Sequence, residues 1–124
     1  IEQQLGQLDA AKAAFTQSLQ IRKQLQQSLG DSPQVLRDLS VSFDNVGNIE
    51  QQLGQLDAAK AAFTQSLQIR KQLQQSLGDS PQVLRDLSVS FDKVGDIEQQ
   101  LGNTQVAEDA YAQSKAYRLR LNNR

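Results

Sequence analysis

The sequence PQVLRDLSVSFDNVGNIEQQLG, residues 33–54, decides the fold of this chain. Pro suits the first position of a helix, where its missing N–H group is not needed, and the hydroxyl of the preceding Ser32 can cap that helix. Apolar residues then recur along the stretch at intervals of three and four, which is the pattern of an amphipathic helix. Gly54 follows the last of them and is typical of a helix end. The stretch therefore predicts one helix from about Pro33 to Leu53.

A second predicted helix follows directly. It begins at about Leu56, and Asp57 lies at its N-terminal end, where the helix macrodipole favours an anion. Its apolar residues again have helical spacing, and Gly78 ends it. The two segments predict a pair of antiparallel helices, each of about 20 residues and roughly 30 Å long.

The whole chain repeats this pair. Residues 1–48 recur almost letter for letter as residues 49–96, and only Asn45 and Asn48 differ, becoming Lys93 and Asp96. A third copy begins at Ile97 and diverges after its first six residues. We therefore predict one domain over residues 1–124, an all-α solenoid of antiparallel helix pairs with units 1–48, 49–96 and 97–124. The predicted elements are a helical stub at Ile1–Leu5 and five helices at about Leu8–Leu29, Pro33–Leu53, Leu56–Leu77, Pro81–Leu101 and Gln105–Leu121.

The two ends of the array are expected to differ. In the last unit, Lys115 replaces the Leu of the earlier copies and Asp109 replaces their Ala, which predicts the polar outer face of a capping unit. The chain begins in mid-unit, so we interpret it as a piece of a longer protein. The helix that contains Phe15 lacks most of its partner, and we expect this open N-terminal end to expose apolar surface and to favour homo-oligomers or segment swapping.

Composition argues against several classes of function. With 13 basic and 14 acidic residues, a net charge of −1, the chain lacks the basic excess typical of nucleic-acid or membrane-surface binders. Cys and His are absent, which removes thiolate and imidazole metal ligands and the usual base for a Ser nucleophile. No apolar run approaches the roughly 18 residues that cross a bilayer. We expect no enzyme, no cofactor, no metal, no nucleic acid or membrane partner, and a cytoplasmic location, which the absence of Cys fits.

Two glycines do not act as helix ends. Gly47 and Gly95 lie inside the predicted first helices, where Gly costs about 1 kcal/mol relative to Ala. A missing side chain is useful there if the partner helix crosses closely. We therefore predict a close helix crossing at each of these glycines.

These residues together resemble the tetratricopeptide repeat. One matching run is Phe43, Val46, Gly47, Gly54, Ala59, Phe63 and Ser66, and the next is Phe91, Val94, Gly95, Gly102, Ala107, Tyr111 and Ser114. Ala11, Phe15 and Ser18 supply the second half of the first unit. The usual repeat has about 34 residues, whereas this one has 48. The additional residues, at about Gln74 to Leu87, predict a variant with longer helices.

The resemblance implies a protein–protein interaction module. In tetratricopeptide arrays the first helix of each unit lines a concave groove that binds a peptide or protein segment. Carried over residue by residue, this implies a groove formed by Arg37, Val41, Asp44, Asn48, Gln51 and Gln52, and by Arg85, Val89, Asp92, Asp96, Gln99 and Gln100. The spacing of positions 37, 41, 44, 48 and 51 independently indicates one helical stripe, separate from the apolar one.

The chemistry of the expected groove favours some ligands over others. Members of the family that clamp a terminal carboxylate use Lys at the position of Asp44, so a carboxylate clamp is not expected. An acidic, Gln-rich groove should prefer a basic or amide-rich segment. The alternative is that these residues are ordinary solvated helix surface.

Two smaller features also have alternatives. Asp92 and Asp96 lie one turn apart and form a candidate carboxylate pair for catalysis or a cation, or simply a solvated acidic face. The four Phe residues, at 15, 43, 63 and 91, lie on apolar stripes and predict core positions rather than a stacking platform for bases.

Overall fold

The structure is a computed structural model that describes residues 2–123, so Ile1 of the predicted stub and Arg124 lie outside the described residues. In this range the chain forms five α-helices and no β-strand. The fold is all-α, as the repeat pattern predicts. The helices are α1 (Glu2–Leu29), α2 (Pro33–Gln52), α3 (Leu56–Leu77), α4 (Pro81–Gln100) and α5 (Thr104–Asn122).

The predicted signals at the helix ends are confirmed. Ser32 and Ser80 each accept a hydrogen bond from the backbone N–H three residues later, and each is followed by Pro in the first turn. Gly54 and Gly102 lie just after α2 and α4 with φ of +77° and +86°. Glycine enters this left-handed region without the steric penalty that a side chain would bring. The chain therefore reverses at these points and returns as an antiparallel helix.

The separate N-terminal stub is a wrong prediction. Gly6 has the same flanking residues as Gly54, yet it lies inside α1, which runs unbroken from Glu2 to Leu29. A few residues before Gly6 make barely one helical turn, too little to pack as a helix of their own. Continuing α1 keeps their backbone groups hydrogen-bonded, whereas before Gly54 the complete helix α2 is held against α3 by side-chain packing.

The helices form a single layered array in chain order. Each helix packs against its sequence neighbours, and the most extensive contacts are those of α2 with α3 and of α4 with α5. The core runs between the helices as small apolar clusters. One contains Leu19, Leu39 and Val46, another Ala59, Phe63 and Ile97, and a third Leu67, Val83 and Leu87.

Both predicted close crossings are present. A Cβ atom built on Gly47 would lie 2.6 Å from Cε1 of Phe63, and one on Gly95 would lie 2.6 Å from Cε1 of Tyr111. The aromatic ring of the second helix in each unit therefore occupies the space that a side chain on the first helix would need. Phe63 is only 1% exposed, in agreement with its predicted core position.

Replacing Gly47 with Ala should lower the free energy of unfolding by about 1 to 3 kcal/mol, because the new methyl group overlaps the Phe63 ring. Gly6→Ala is the matched control, since a Cβ there meets nothing within 4 Å and Gly6 is helical. That change should leave stability unchanged or raise it by up to about 1 kcal/mol through helix propensity. Urea unfolding followed by circular dichroism measures both values, and equal effects would contradict the close crossing.

The last helix differs from its counterparts in one informative position. Lys115 is exposed, whereas Leu19 and Leu67 at the same position are buried. This is the polar change that the capping prediction relies on. Asp109 gives it no support, because Ala13 and Ala61 are already exposed in the earlier copies.

Candidate functional site

Side chains of α2 and α4 meet along one surface, here called the α2–α4 face. Arg37 Nε donates to Asp86 Oδ2 at 3.0 Å, and Lys93 Nζ donates to Asn48 Oδ1 at 3.0 Å. Further along, the amide of Gln51 donates to that of Gln100. These contacts place the first helices of successive units side by side, so that their outward stripes form a continuous surface.

Most of the predicted groove residues are accessible on this face. On α4 they follow one exposed stripe with spacings of three and four, and on α2 Val41 is 36% exposed. The exposed members are Val41, Gln52, Arg85, Val89, Asp96, Gln99 and Gln100, the half-buried ones are Arg37, Asn48, Gln51 and Asp92, and the buried one is Asp44.

Asp44 is not available to a ligand, which corrects the sequence-based expectation. Its carboxylate Oδ2 lies 2.8 Å from Nη1 of Arg70, and both side chains are more than nine-tenths buried. Burial raises the pKa of Asp44, while the charge of Arg70 lowers it in part. Arg70 is held further by the hydroxyls of Ser40 and Ser90. Asp44 is therefore an internal structural residue.

Asp92 occupies the same position in the next unit but remains half-exposed. Its carboxylate accepts a hydrogen bond from Arg118 at 2.9 Å, and 52% of the Arg118 side chain is accessible. No further first helix covers this pair in the described part of the chain, as α4 does for Asp44 and Arg70. Asp92 can still meet a ligand, although part of its charge is neutralised.

Asp96 is the most accessible carboxylate of the predicted set. It accepts a hydrogen bond of 2.5 Å from the hydroxyl of Tyr111. This bond, with smaller contributions from burial and from the charges of Asp96 and Asp92, raises the pKa of Tyr111 to about 12. Tyr111 is at the position of Phe63 in the preceding unit, and Asp96 is at the position of Asn48. The last unit therefore gains the hydroxyl and the carboxylate together.

The two positions that distinguish the copies both lie at this face. Lys93 stands over the Phe63 ring, 5.5 Å from its centroid, and reaches Asn48 of the preceding unit. It brings a positive charge to a surface that the sequence predicted to be acidic. With Asp44 buried and Lys93 present, the face is of mixed charge and rich in amides, and its acidic character is confined to the region of Asp96.

The sequence did not reveal which side chains bind the predicted groove residues. These are Arg70, Asp86, Lys93, Tyr111 and Arg118. One signal was available, because after Gly102 the third copy keeps few residues of the earlier ones, and Arg118 is among them. Ala107, Ala110 and Ser114 are also kept, and all three are buried. These four retained residues lie where the second helix of the unit packs against the first.

A second concave region lies on the other side of α2. It has a volume of about 400 Å³ and an apolar floor that includes Leu36, Leu39 and Phe43. Lys23 and several Gln side chains of α1 and α3 form its rim, and the Lys23 ammonium lies 5.4 Å from the Phe43 ring centroid. At the corresponding place in the next unit, Tyr117 stacks on Phe91 with ring centroids 5.8 Å apart.

Both carboxylates of the candidate pair already bind neighbouring side chains. Asp92 binds Arg118, and Asp96 binds Tyr111. Between residues 2 and 123 the acidic residues form no group that could hold a metal ion. None of the helices in that range is both long and apolar enough to cross a membrane.

Comparison with known proteins agrees with this geometry. The family model described as tetratricopeptide repeat matches residues 1–25 and 42–73. The second match covers the end of α2 and most of α3, and stops directly before the predicted additional residues. Neither the curated proteins nor the solved structures compared with the chain gave a significant match. On the family match and the five antiparallel helices of its described residues, the chain contains tetratricopeptide repeats.

Proposed function

We propose that this chain binds a peptide or protein segment along the α2–α4 face. Tetratricopeptide repeats generally mediate protein–protein interaction, and the family is one of non-catalytic scaffolds. The observation that carries the proposal is the exposed stripe of Arg85, Val89, Asp96 and Gln99 on α4, continued on α2 by Val41. Such a stripe offers polar groups around two apolar contacts, which suits recognition of an extended segment or a helix.

The side chains on this face favour an amide-rich ligand with one cation. The Gln residues at 52, 99 and 100 are exposed and can both donate and accept hydrogen bonds with a peptide backbone. A Lys or Arg of the ligand would lie best at Asp96, since Asp92 already binds Arg118 and Lys93 repels a cation nearer to α2. Val89, 44% exposed, would contact an apolar side chain of the ligand.

The test is titration with a fluorescent, Gln-rich peptide that contains a single Arg. Asp96→Lys should weaken its binding by about tenfold, because an attractive contact becomes a repulsive one. Asp9→Lys is the matched control, with the same change of charge at an exposed residue of α1. Equal affinities for both variants and the unmodified chain would show that Asp96 is not part of the binding face. No saturable binding to the unmodified chain would remove the proposal.

A second candidate function is self-assembly through the N-terminal end. The supporting observation is that α1 exposes apolar side chains, including Ile21 at 50% and Leu25 at 38%. Chains that bury these residues in each other, or that exchange segments between their near-identical units, would form homo-oligomers. Light scattering over a wide range of concentrations tests this candidate, and a constant mass of one chain would reject it.

A further inference from the structure

The concave region on the other side of α2, here called the Phe43 groove, is open, whereas its counterpart in the next unit holds an aromatic ring. Phe43 forms part of its floor, and its walls are α1 and α3, which contributes Ile69. One unit later the same two positions hold Phe91 and Tyr117. There the Tyr117 ring stacks on Phe91, with ring centroids 5.8 Å apart and an interplanar angle of 19°. Ile69 carries no ring, and the space of about 400 Å³ over Phe43 stays open.

The cation beside the floor does not exclude an aromatic ring. Lys23 Nζ lies 5.4 Å from the ring centroid of Phe43. In the next unit, Lys71 Nζ lies 5.5 Å from that of Phe91, and Phe91 also stacks with the Tyr117 ring. One Phe therefore accepts a Lys and an aromatic ring together, so a ring can stack on Phe43 while Lys23 keeps its place.

The groove is an internal feature of the array, because it lies between α1 and α3 and above α2. A second helix meets its two neighbours through different residues. Phe63 and Arg70 of α3 contact the helix before it, whereas Lys71 contacts the helix after it. Lys23, which lines the groove, corresponds to Lys71. A helix ahead of α1 would therefore pack on a different side of α1 and leave the groove open.

The side chains of the groove select the kind of ligand. Among the described residues that line it, Lys23 alone carries a charge, and the polar rim otherwise consists of Gln side chains such as Gln65 and Gln72. In the filled counterpart, Arg120 replaces Gln72 and lies with its guanidinium 5.2 Å from the Tyr117 ring centroid. The surroundings of the ring are thus amides and positive charge, which favour carboxylates next to an aromatic residue of the ligand.

We propose that the Phe43 groove binds a tyrosine side chain of an acidic peptide or protein segment. The ring stacks on Phe43 above Ile69, as Tyr117 stacks on Phe91, and a neighbouring carboxylate of the ligand pairs with Lys23. The Gln amides of the rim hydrogen-bond the ligand backbone. The site lies on the other side of α2 from the α2–α4 face and favours a ligand of opposite charge, so it stands independently of the function proposed above.

The test is titration of the full chain with a fluorescent peptide that contains a single Tyr flanked by Asp residues. Ile69→Tyr should weaken binding by about tenfold or more, because a ring of the chain itself then fills the groove as Tyr117 does in the next unit. Ile21→Tyr is the matched control, with the same change at the same position of α1. Ile21 is 50% exposed and lies outside the groove, so this variant should bind like the unmodified chain.

The reverse change should create a second site. Tyr117→Ile opens the groove over Phe91, and calorimetry should then count two peptides per chain where the unmodified chain binds one. The charge is tested by Lys23→Glu, which should weaken binding by about tenfold because the acidic peptide then meets a like charge. Lys71→Glu makes the same change of charge at the filled groove and should leave the affinity unchanged.

Equal affinities for the Ile69→Tyr and Ile21→Tyr variants, each with the helical spectrum of the unmodified chain, would overturn the proposal. Absence of saturable binding to the unmodified chain would do the same, as would an unchanged stoichiometry in a folded Tyr117→Ile variant. The Asp96→Lys variant should bind this peptide normally, which separates the result from that of the α2–α4 face.

Discussion

Replacing Phe63 with Ala should lower the free energy of unfolding by about 3 to 5 kcal/mol. The ring is 1% exposed, fills the space above Gly47 and packs in one cluster with Ala59 and Ile97. Its removal takes away contacts with both α2 and α4, and neighbouring backbone cannot move far enough to fill the cavity. Because a domain of this size has a total stability of about 5 to 15 kcal/mol, urea unfolding should show a large shift in the midpoint.

Phe15→Ala is the matched control for this effect. Phe15 has the same sequence neighbours as Phe63 but is only half-buried in α1. The cavity left by its removal is open to water on one side, so the expected loss is clearly smaller. Equal losses for the two variants would contradict the difference in burial between α1 and α3.

The chain with Arg70→Met should lose about 3 to 5 kcal/mol of stability at neutral pH, because Asp44 is left buried without its cation. Asp44 already has a raised pKa through burial, and removal of Arg70, which lowers it, raises it further. At pH values between the unfolded-state pKa of 3.8 and the higher native pKa, the native state keeps a proton that the unfolded state has released. Stability therefore falls as pH rises through the native pKa, and the loss should be smallest near pH 4 or below.

Two further variants isolate the cause of this loss. Replacing both partners, with Asp44→Leu and Arg70→Met, should recover most of the stability, since apolar replacements of a buried pair are often neutral or better. Arg118→Met removes the equivalent cation from the exposed pair with Asp92 and should cost at most about 1 kcal/mol. A double variant as unstable as the single one would show that lost packing, not the unpaired charge, is responsible. So would an Arg118→Met effect of the same size as that of Arg70→Met.

The helices and their close crossings could be predicted because their causes are local or repeated. Pro33 and Ser32 start α2 through backbone geometry and one capping bond, and Gly54 ends it through its left-handed φ. The close crossing at Gly47 could be predicted because a glycine inside a helix lowers stability. Such a glycine is expected only where a neighbouring side chain needs the space. The core position of Phe63 followed from the period of the apolar stripe.

The candidate site was predicted less completely. The stripe that contains Val89, Asp96 and Gln99 is exposed on α4 as helical spacing indicated. The partners on the neighbouring helices were not found, because an ion pair such as Arg70 with Asp44 joins residues far apart in the sequence. The face is less acidic than expected, because Asp44 is buried against Arg70 and Lys93 adds a positive charge.

What the sequence determines and what the tertiary structure determines can be separated most clearly at residues that are identical in two repeat units but have different environments. Spacing and turn residues were enough to specify an all-α array of helix pairs and the side of each helix that is apolar. They could not decide that Gly6 continues a helix where Gly54 ends one, or that Asp44 is buried where Asp92 is half-exposed. A helix-forming pattern acts within a few residues of the chain, but burial depends on whether a neighbouring unit covers the residue. In a repeat protein that neighbour is present in the middle of the array and missing at its ends.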